Sequence, residues 1–250
     1  MTTYVYGIAR DERADPAGPA EPEPHELPEG LTGVGDPPRP VRVVGGGGLT
    51  AVVSDCPDRL RPKRRDLLAH QRVLAEVGRW STVLPMRFGS VSDSDEKVRA
   101  VLAEHAERYR EQLDRLTGRV EYNVKAVHRE EVVLHLVLAG NAELRALAAA
   151  NRASGGGSYE ERLRFGELVA HGVREREVRD AALVEDSLRP LAEECRPGPE
   201  SAGWFVNLSF LLTRPAAERL LTTAAGLEKA HPQLDLKVHG PLPPYSFVTP

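Results

Sequence analysis

The 250-residue chain predicts an α+β fold built in two halves, each an α/β sandwich with an antiparallel sheet. Two observations carry this. Short alternating or β-branched runs are interleaved with long segments of helical spacing, and each half has helices long enough to cover one sheet face. The 20 prolines and 22 glycines gather in a few stretches, so they mark loops and tails and leave the periodic segments intact.

Thr3 to Ala9 alternates, with Tyr4, Tyr6 and Ile8 on one face, and predicts an N-terminal strand. Residues 11–40 are rich in Pro, Glu and Gly and predict a long flexible loop. Val41–Val44 and Leu49–Ser54 flank Gly45 to Gly48 and predict a hairpin. From Lys63 to Gly78 the spacing is helical, with Leu67, Leu68, Leu74 and Val77 as the apolar stripe. The stretch Trp80 to Phe88 predicts a buried strand, with Pro85 and Gly89 closing it. Ser92, Asp93 and Ser94 offer caps to a second helix, striped by Val98, Val101, Leu102, His105, Tyr109, Leu113 and Leu116 and ending at Gly118.

In the second half, Val120–Ala126 and Val132–Leu138 both alternate and predict a hairpin. Ala142 to Ala150 is a short alanine-rich helix that Ser154 to Gly157 breaks. Ser158-Tyr159-Glu160-Glu161 fits a capping box and opens a long charged helix to about Leu191. Arg196 to Pro199 predicts a loop. Trp204 to Thr213 is almost wholly apolar, as expected of a central strand. Pro215 opens a helix with Leu220, Leu221, Ala224 and Leu227 inside, and Leu234–Val238 is a last strand. This order can be drawn as two ferredoxin-like domains: 1–117, containing the 11–40 loop, and 118–239, followed by an extended proline-rich tail at 240–250 that cannot be helical.

The composition narrows the function classes. Hydrophobic residues at 41% and charged residues at 28% fit a soluble globular protein. A net charge of -4 gives no bulk attraction to nucleic acid or an anionic membrane, and neither is an expected partner. Cys56 and Cys195 lack motif spacing and are expected as reduced thiols in a cytoplasmic protein.

The search for chemistry yields little. Gly45 to Gly48 is followed by a strand, whereas a phosphate loop leads into a helix N-terminus. The eight histidines show no metal-ligand spacing, although His128 and His135 are expected on neighbouring strands. Paired carboxylates such as Asp93 with Asp95 and Glu130 with Glu131 read as caps and turns. No catalytic, cofactor or metal residue is assigned, and the chain is expected not to be an enzyme. Arg59, Arg61, Lys63, Arg64 and Arg65 cluster at a helix entrance without interleaved aromatics. Arg87 is a lone cation in an apolar run and must reach a carboxylate, a carbonyl or the surface. Two other classes are weighed. An RNA-binding ferredoxin-like module would need exposed sheet aromatics beside the basic run, and an enzyme with a cryptic site would need a pocket with converging titratable groups.

Several stretches carry a resemblance. They are Tyr4-Val5-Tyr6-Gly7-Ile8, Gly47 to Ser54, His70 to Leu74, Val83-Leu84-Pro85-Met86-Arg87-Phe88-Gly89, Gly118 to Lys125, Gly157-Ser158-Tyr159 and Gly240-Pro241-Leu242-Pro243-Pro244-Tyr245-Ser246-Phe247. In this order and over nearly the whole chain, they resemble the gas vesicle protein F/L family (GvpF/GvpL). Leu84, Pro85, Phe88 and Gly89, with Pro243, Pro244, Tyr245 and Phe247, form the two most specific motifs. The resemblance implies a non-enzymatic accessory or minor structural protein of the gas vesicle, without cofactor. Its implied partner is the small, hydrophobic main shell protein, with other gas vesicle accessory proteins as further expected partners. The partner surface is expected in the N-terminal half, with Arg64, Arg65 and Arg87 as its candidate contacts.

Overall fold

A computed structural model of the chain describes residues 2–11, 27–79, 81–153, 155–199 and 203–249. The chain divides into two compact units, residues 1–121 with 241–250 and residues 122–240.

The first unit is organised around β1 (Thr3–Arg10). It is joined by β2 (Val41–Gly46), β3 (Leu49–Asp55), β4 (Val83–Pro85) and β5 (Val91–Ser92) in a sheet of order β2-β3-β1-β4, with β5 also pairing β1. The pairings of β1 with β3, β4 and β5, and of β2 with β3, are antiparallel. Tyr4 and Tyr6 are fully buried on one face of β1, as the period of two demands. Gly47 (φ 62°) and Gly48 (φ 70°) form the two-residue β2–β3 turn, a left-handed conformation that glycine adopts without steric penalty.

The helix α1 (Arg64–Val77) ends at Gly78 as its spacing predicts, but its buried face differs. Asp66, His70, Val73, Leu74 and Val77 point inward, while Leu67 and Leu68 are exposed. Those inward positions recur at steps of three and four, and the polar Asp66 and His70 hid that face from a purely apolar reading. The expected second helix is two: α2 (Asp95–Glu104), capped by Ser94, and α3 (Ala106–Leu116), interrupted at an exposed His105. The expected Trp80–Phe88 strand shrinks to β4, since 88–89 turn, and Trp80 lies outside the described residues. Of the 11–40 loop, 12–26 also lies outside them. Part of the remainder is packed: Gly33, Val34 and Gly35 are buried, and Thr32 and Pro40 form a bridge, while 28–30 and 36–38 are exposed.

The second unit contains β6 (Arg119–His128) from Tyr122 onward. It continues with α4 (Glu130–Gly140), α5 (Ala142–Ala153), α6 (Tyr159–Leu188), β7 (Glu194–Pro197), β8 (Val206–Thr213), α7 (Arg214–Ala230) and β9 (Leu234–Leu242). Its sheet order is β7-β8-β6-β9, so the apolar β8 is central. The Ser158 capping box is present, with Ser158 Oγ accepting from Glu161 N–H at 3.2 Å and Glu161 Oε2 accepting from Ser158 N–H at 2.7 Å. Ser154, part of the expected break before it, is outside the described residues.

Three expectations fail in this unit. Val132–Leu138 is helix α4, not a strand, and it carries His135 with it. In a run so uniformly apolar, periods of 2 and 3.6 both find matches. The buried pair, Val133 and Val137, is four apart, and Glu130 and Glu131 suit a helix N-terminus. The expected loop at Arg196–Pro199 instead begins in β7, an edge strand where Pro197 is tolerated. Leu221 is exposed, and α7 buries Ala216, Ala217, Leu220 and Ala224. The tail also departs from expectation: β9 runs to Leu242, and Tyr245–Phe247 forms one 3-10 turn. Among the described residues no single helix is long and apolar enough to cross a membrane.

Candidate functional site

The first unit holds a buried polar hub at His70 on α1. Its Nε2 faces the carbonyl of Met86 at 3.1 Å, and its Nδ1 faces the Tyr4 hydroxyl at 2.8 Å. A carbonyl only accepts, so the proton sits on Nε2 and Nδ1 accepts from Tyr4. The Tyr4 hydroxyl in turn accepts from Gly89 N–H at 3.4 Å. One Tyr–His pair therefore holds both ends of the segment Met86-Arg87-Phe88-Gly89. Backbone bonds from Met86 N–H to Tyr6 O (2.8 Å) and from Val5 N–H to Ser90 O (2.9 Å) staple the same segment to β1. Gly89 takes φ 91°, and Ser90 closes the turn by donating N–H and Oγ–H to the Arg87 carbonyl at 3.1 and 2.8 Å.

Aromatic rings enclose the imidazole. Tyr6 stacks on it at 5.5 Å between centroids, Tyr245 from the tail lies over it at 6.4 Å, and Tyr4 and Phe88 meet it edge-on. Burial pushes the His70 pKa down, because the cation is desolvated there, and pushes the Tyr4, Tyr6 and Tyr245 phenols up. The Tyr6 hydroxyl accepts from Val34 N–H at 2.8 Å and pairs with Ser54 Oγ at 3.0 Å. Leu84 and Pro85 are buried in β4. Stretches remote in sequence thus meet at one histidine, and the Tyr4 and Tyr6 hydroxyls and both His70 ring nitrogens have hydrogen-bond partners, as buried polar groups require.

The three candidate cations have different settings. Arg87 projects from the stapled turn, exposed. Arg64 is exposed in the first turn of α1, and Arg65 bonds Asp36 at 2.5 Å and the buried Asp66 at 3.4 Å. Asp66 also accepts from Gly35 N–H at 2.9 Å, so Arg65 helps hold the loop onto α1. Beside the Arg87 turn lies an apolar groove of about 340 Å³, lined by Val5, Met86, Val91, Val98, Leu102 and Tyr109. Val91 is half exposed at its edge. This groove had no signal in the sequence, because its residues come from four separated stretches: β1, β3, residues 86–93 and the α2–α3 helices.

The second unit has its own buried polar cluster. Asp180 Oδ2 accepts from His128 Nε2 at 2.9 Å, Arg176 Nε at 2.9 Å and Gln233 Nε2 at 3.1 Å. Burial works against its charge, but these bonds hold the Asp180 carboxyl below the usual range. The Phe205 ring covers His128 at 4.4 Å, and a cavity of about 510 Å³ lined by His128, Glu130, Glu177 and Trp204 adjoins them. A His–Asp pair of this kind would need a nucleophile at the other ring nitrogen. Among the described residues His128 Nδ1 is buried without a hydrogen-bond partner. No group of three or more metal-ligating side chains occurs among the described residues.

The fold defines a class: a two-unit α+β protein with two antiparallel sheets and a stapled turn. The family model for gas vesicle synthesis protein GvpL/GvpF matches residues 2–249, and the chain belongs to that family. It is 53% identical over 99% of its length to all of Gas vesicle protein F from Streptomyces sp. (strain CB03234). It is 28% identical to Gas vesicle protein L of the same strain, over 98% of this chain and 91% of that one. Crystal structures of GvpF share the fold. The protein from Anabaena sp. PCC7120 superposes with a TM-score of 0.72 at 24% identity, covering 98% of this chain and 97% of that one. The protein from Microcystis aeruginosa does so at 0.69 and 22%, covering 98% of each. The family is a gas vesicle family and not a known enzyme family.

Proposed function

We propose that this protein is an accessory or minor structural protein of gas vesicle formation. It acts in the cytoplasm, binds the main hydrophobic shell protein and supports nucleation or assembly of the vesicle. The observation that carries this reading is the end-to-end likeness to Gas vesicle protein F. The physical need is plain: a shell subunit with an uncovered apolar face aggregates before it assembles unless something holds it.

The first unit is the proposed binding unit. Arg87 and Arg64 are its exposed contacts, and the 340 Å³ apolar groove beside the Arg87 turn receives apolar side chains. Arg65, already paired with Asp36 and Asp66, contributes by holding α1 and the loop in place. Each unit is read as a ferredoxin-like domain. The orders β2-β3-β1-β4 and β7-β8-β6-β9 support this, since numbering four strands along each unit gives 2-3-1-4 in both.

Deleting the gene and viewing cells by electron microscopy tests the reading. Absent or misshapen vesicles are expected, and vesicles of normal number and shape would refute a role in assembly.

A further inference from the structure

We propose that the first unit carries a peptide cleft, specific for a Pro-Pro-Tyr-Ser-Phe segment, which the chain's own C-terminal segment fills and which accepts the same segment supplied in trans. The inference is independent of the identity of any vesicle partner.

The tail is bound as a ligand is bound. Tyr245 lies over His70, tilted 30° at 6.4 Å, and Phe247 is fully buried. These are two aromatic anchors two residues apart. Between and after them, side chains grip the tail backbone. Glu121 accepts from Ser246 N–H at 2.9 Å and from its Oγ–H at 2.7 Å. Gln112 closes a reciprocal pair with Thr249, accepting from its N–H at 2.9 Å and donating to its carbonyl at 3.2 Å. Arg115 donates to the Phe247 carbonyl, and Arg108 donates to that of Thr249 at 3.3 Å.

Arg108, Gln112 and Arg115 are spaced by four and three, so one face of α3 supplies three of the four grips. Glu121 and Gln112 are themselves buried, at 3% and 8% exposure. A buried carboxylate and a buried amide that both bond the tail are a receptor's investment, because each is costly to leave unpaired. Side-chain grips on the backbone supply affinity, and the two aromatic sockets supply specificity. Pro243 and Pro244 restrict the free segment, so less entropy is lost when it docks.

The test uses a full-length chain carrying Tyr245→Ala and Phe247→Ala, and a fluorescein-labelled synthetic octapeptide of residues 243–250. The variant should bind the peptide saturably, and its lowered melting temperature should rise with peptide. The wild-type chain should bind at least about tenfold more weakly, because its tethered tail competes at high effective concentration. A peptide with both alanines should not bind. A folded variant that fails to bind, or equal binding by variant and wild type, would overturn the proposal. Should the variant not fold, a full-length chain with a protease site inserted between Leu242 and Pro243 is nicked after folding. Co-elution of the nicked tail, or its replacement by labelled peptide, supports the cleft; release of the tail with no uptake of peptide overturns it.

Discussion

The Tyr4 hydroxyl donates to His70 Nδ1 across 2.8 Å, and through this bond β1 positions the turn that presents Arg87. The imidazole passes the constraint on by donating from Nε2 to the Met86 carbonyl. The backbone that carries Arg87 is thereby held by buried groups.

Tyr4→Phe removes the donor and leaves a buried imidazole nitrogen unpaired. The expected loss is about 1–3 kcal/mol of unfolding free energy, read from urea titration. In the double variant Tyr4→Phe/His70→Leu the polar pair is gone, so its loss should fall short of the sum of the singles. Strict additivity would mean that the two side chains do not act as a pair.

The His70 site also sets a pH dependence. Burial depresses its folded-state pKa below the unfolded value of about 6.5. Above that value neither state binds the proton, and the contribution is fully present. As pH falls from about 6.5 toward the lower folded pKa, the unfolded chain takes up a proton that the folded chain refuses, and stability is lost. Unfolding free energy measured from pH 7.5 downward should show this decline, and His70→Gln should flatten it. Identical slopes in the two proteins would exclude His70 as the source.

In the second unit, α4 crosses α6 at Gly172, where an added Cβ would lie 2.6 Å from Val137 Cγ1. Val137 is β-branched and cannot swing away cheaply. Gly172→Ala should therefore destabilise by about 1–3 kcal/mol by overpacking, despite alanine's better helix propensity. Adding Val137→Ala should recover part of the loss. A more stable Gly172→Ala single variant would show that the two helices are farther apart there.

Asp180→Asn keeps the shape of its cluster but removes the charge that Arg176 and His128 face. Leaving Arg176 without its anion should cost about 3–5 kcal/mol, seen as a lower melting temperature. An unchanged melting temperature would show that the carboxylate's charge contributes nothing to that cluster.

Much of the fold was legible where local chemistry is unambiguous. The glycine turn at 47–48, the Ser158 capping box and Pro215 at the start of α7 each have one reading, whereas in β1 a bulge between Val5 and Gly7 turns Ile8 to the face of Val5, away from Tyr4 and Tyr6. The misreadings share a cause. Apolar pattern alone could not tell helix from strand in α4, and it put Leu67 and Leu68 inside because the true inner face of α1 contains Asp66 and His70. The candidate site was legible in part. Its motif residues were visible in the sequence, but their meeting at His70, the groove behind Met86 and the burial of Glu121 are long-range facts. Glu121 reads as an outward strand residue until Ser246, 125 positions away, arrives to satisfy it.

The central claim is that this protein binds the main gas vesicle shell protein through its first unit. The direct measurement is a pull-down of that shell protein by the full-length chain, compared with Arg87→Glu and Arg64→Glu variants. Both cations are exposed, so the variants should melt as the wild type does. The account predicts capture by the wild type and weakened capture by each variant at unchanged melting temperature. Absence of capture by the wild type would contradict the proposed function, and undiminished capture by both variants would contradict the proposed surface.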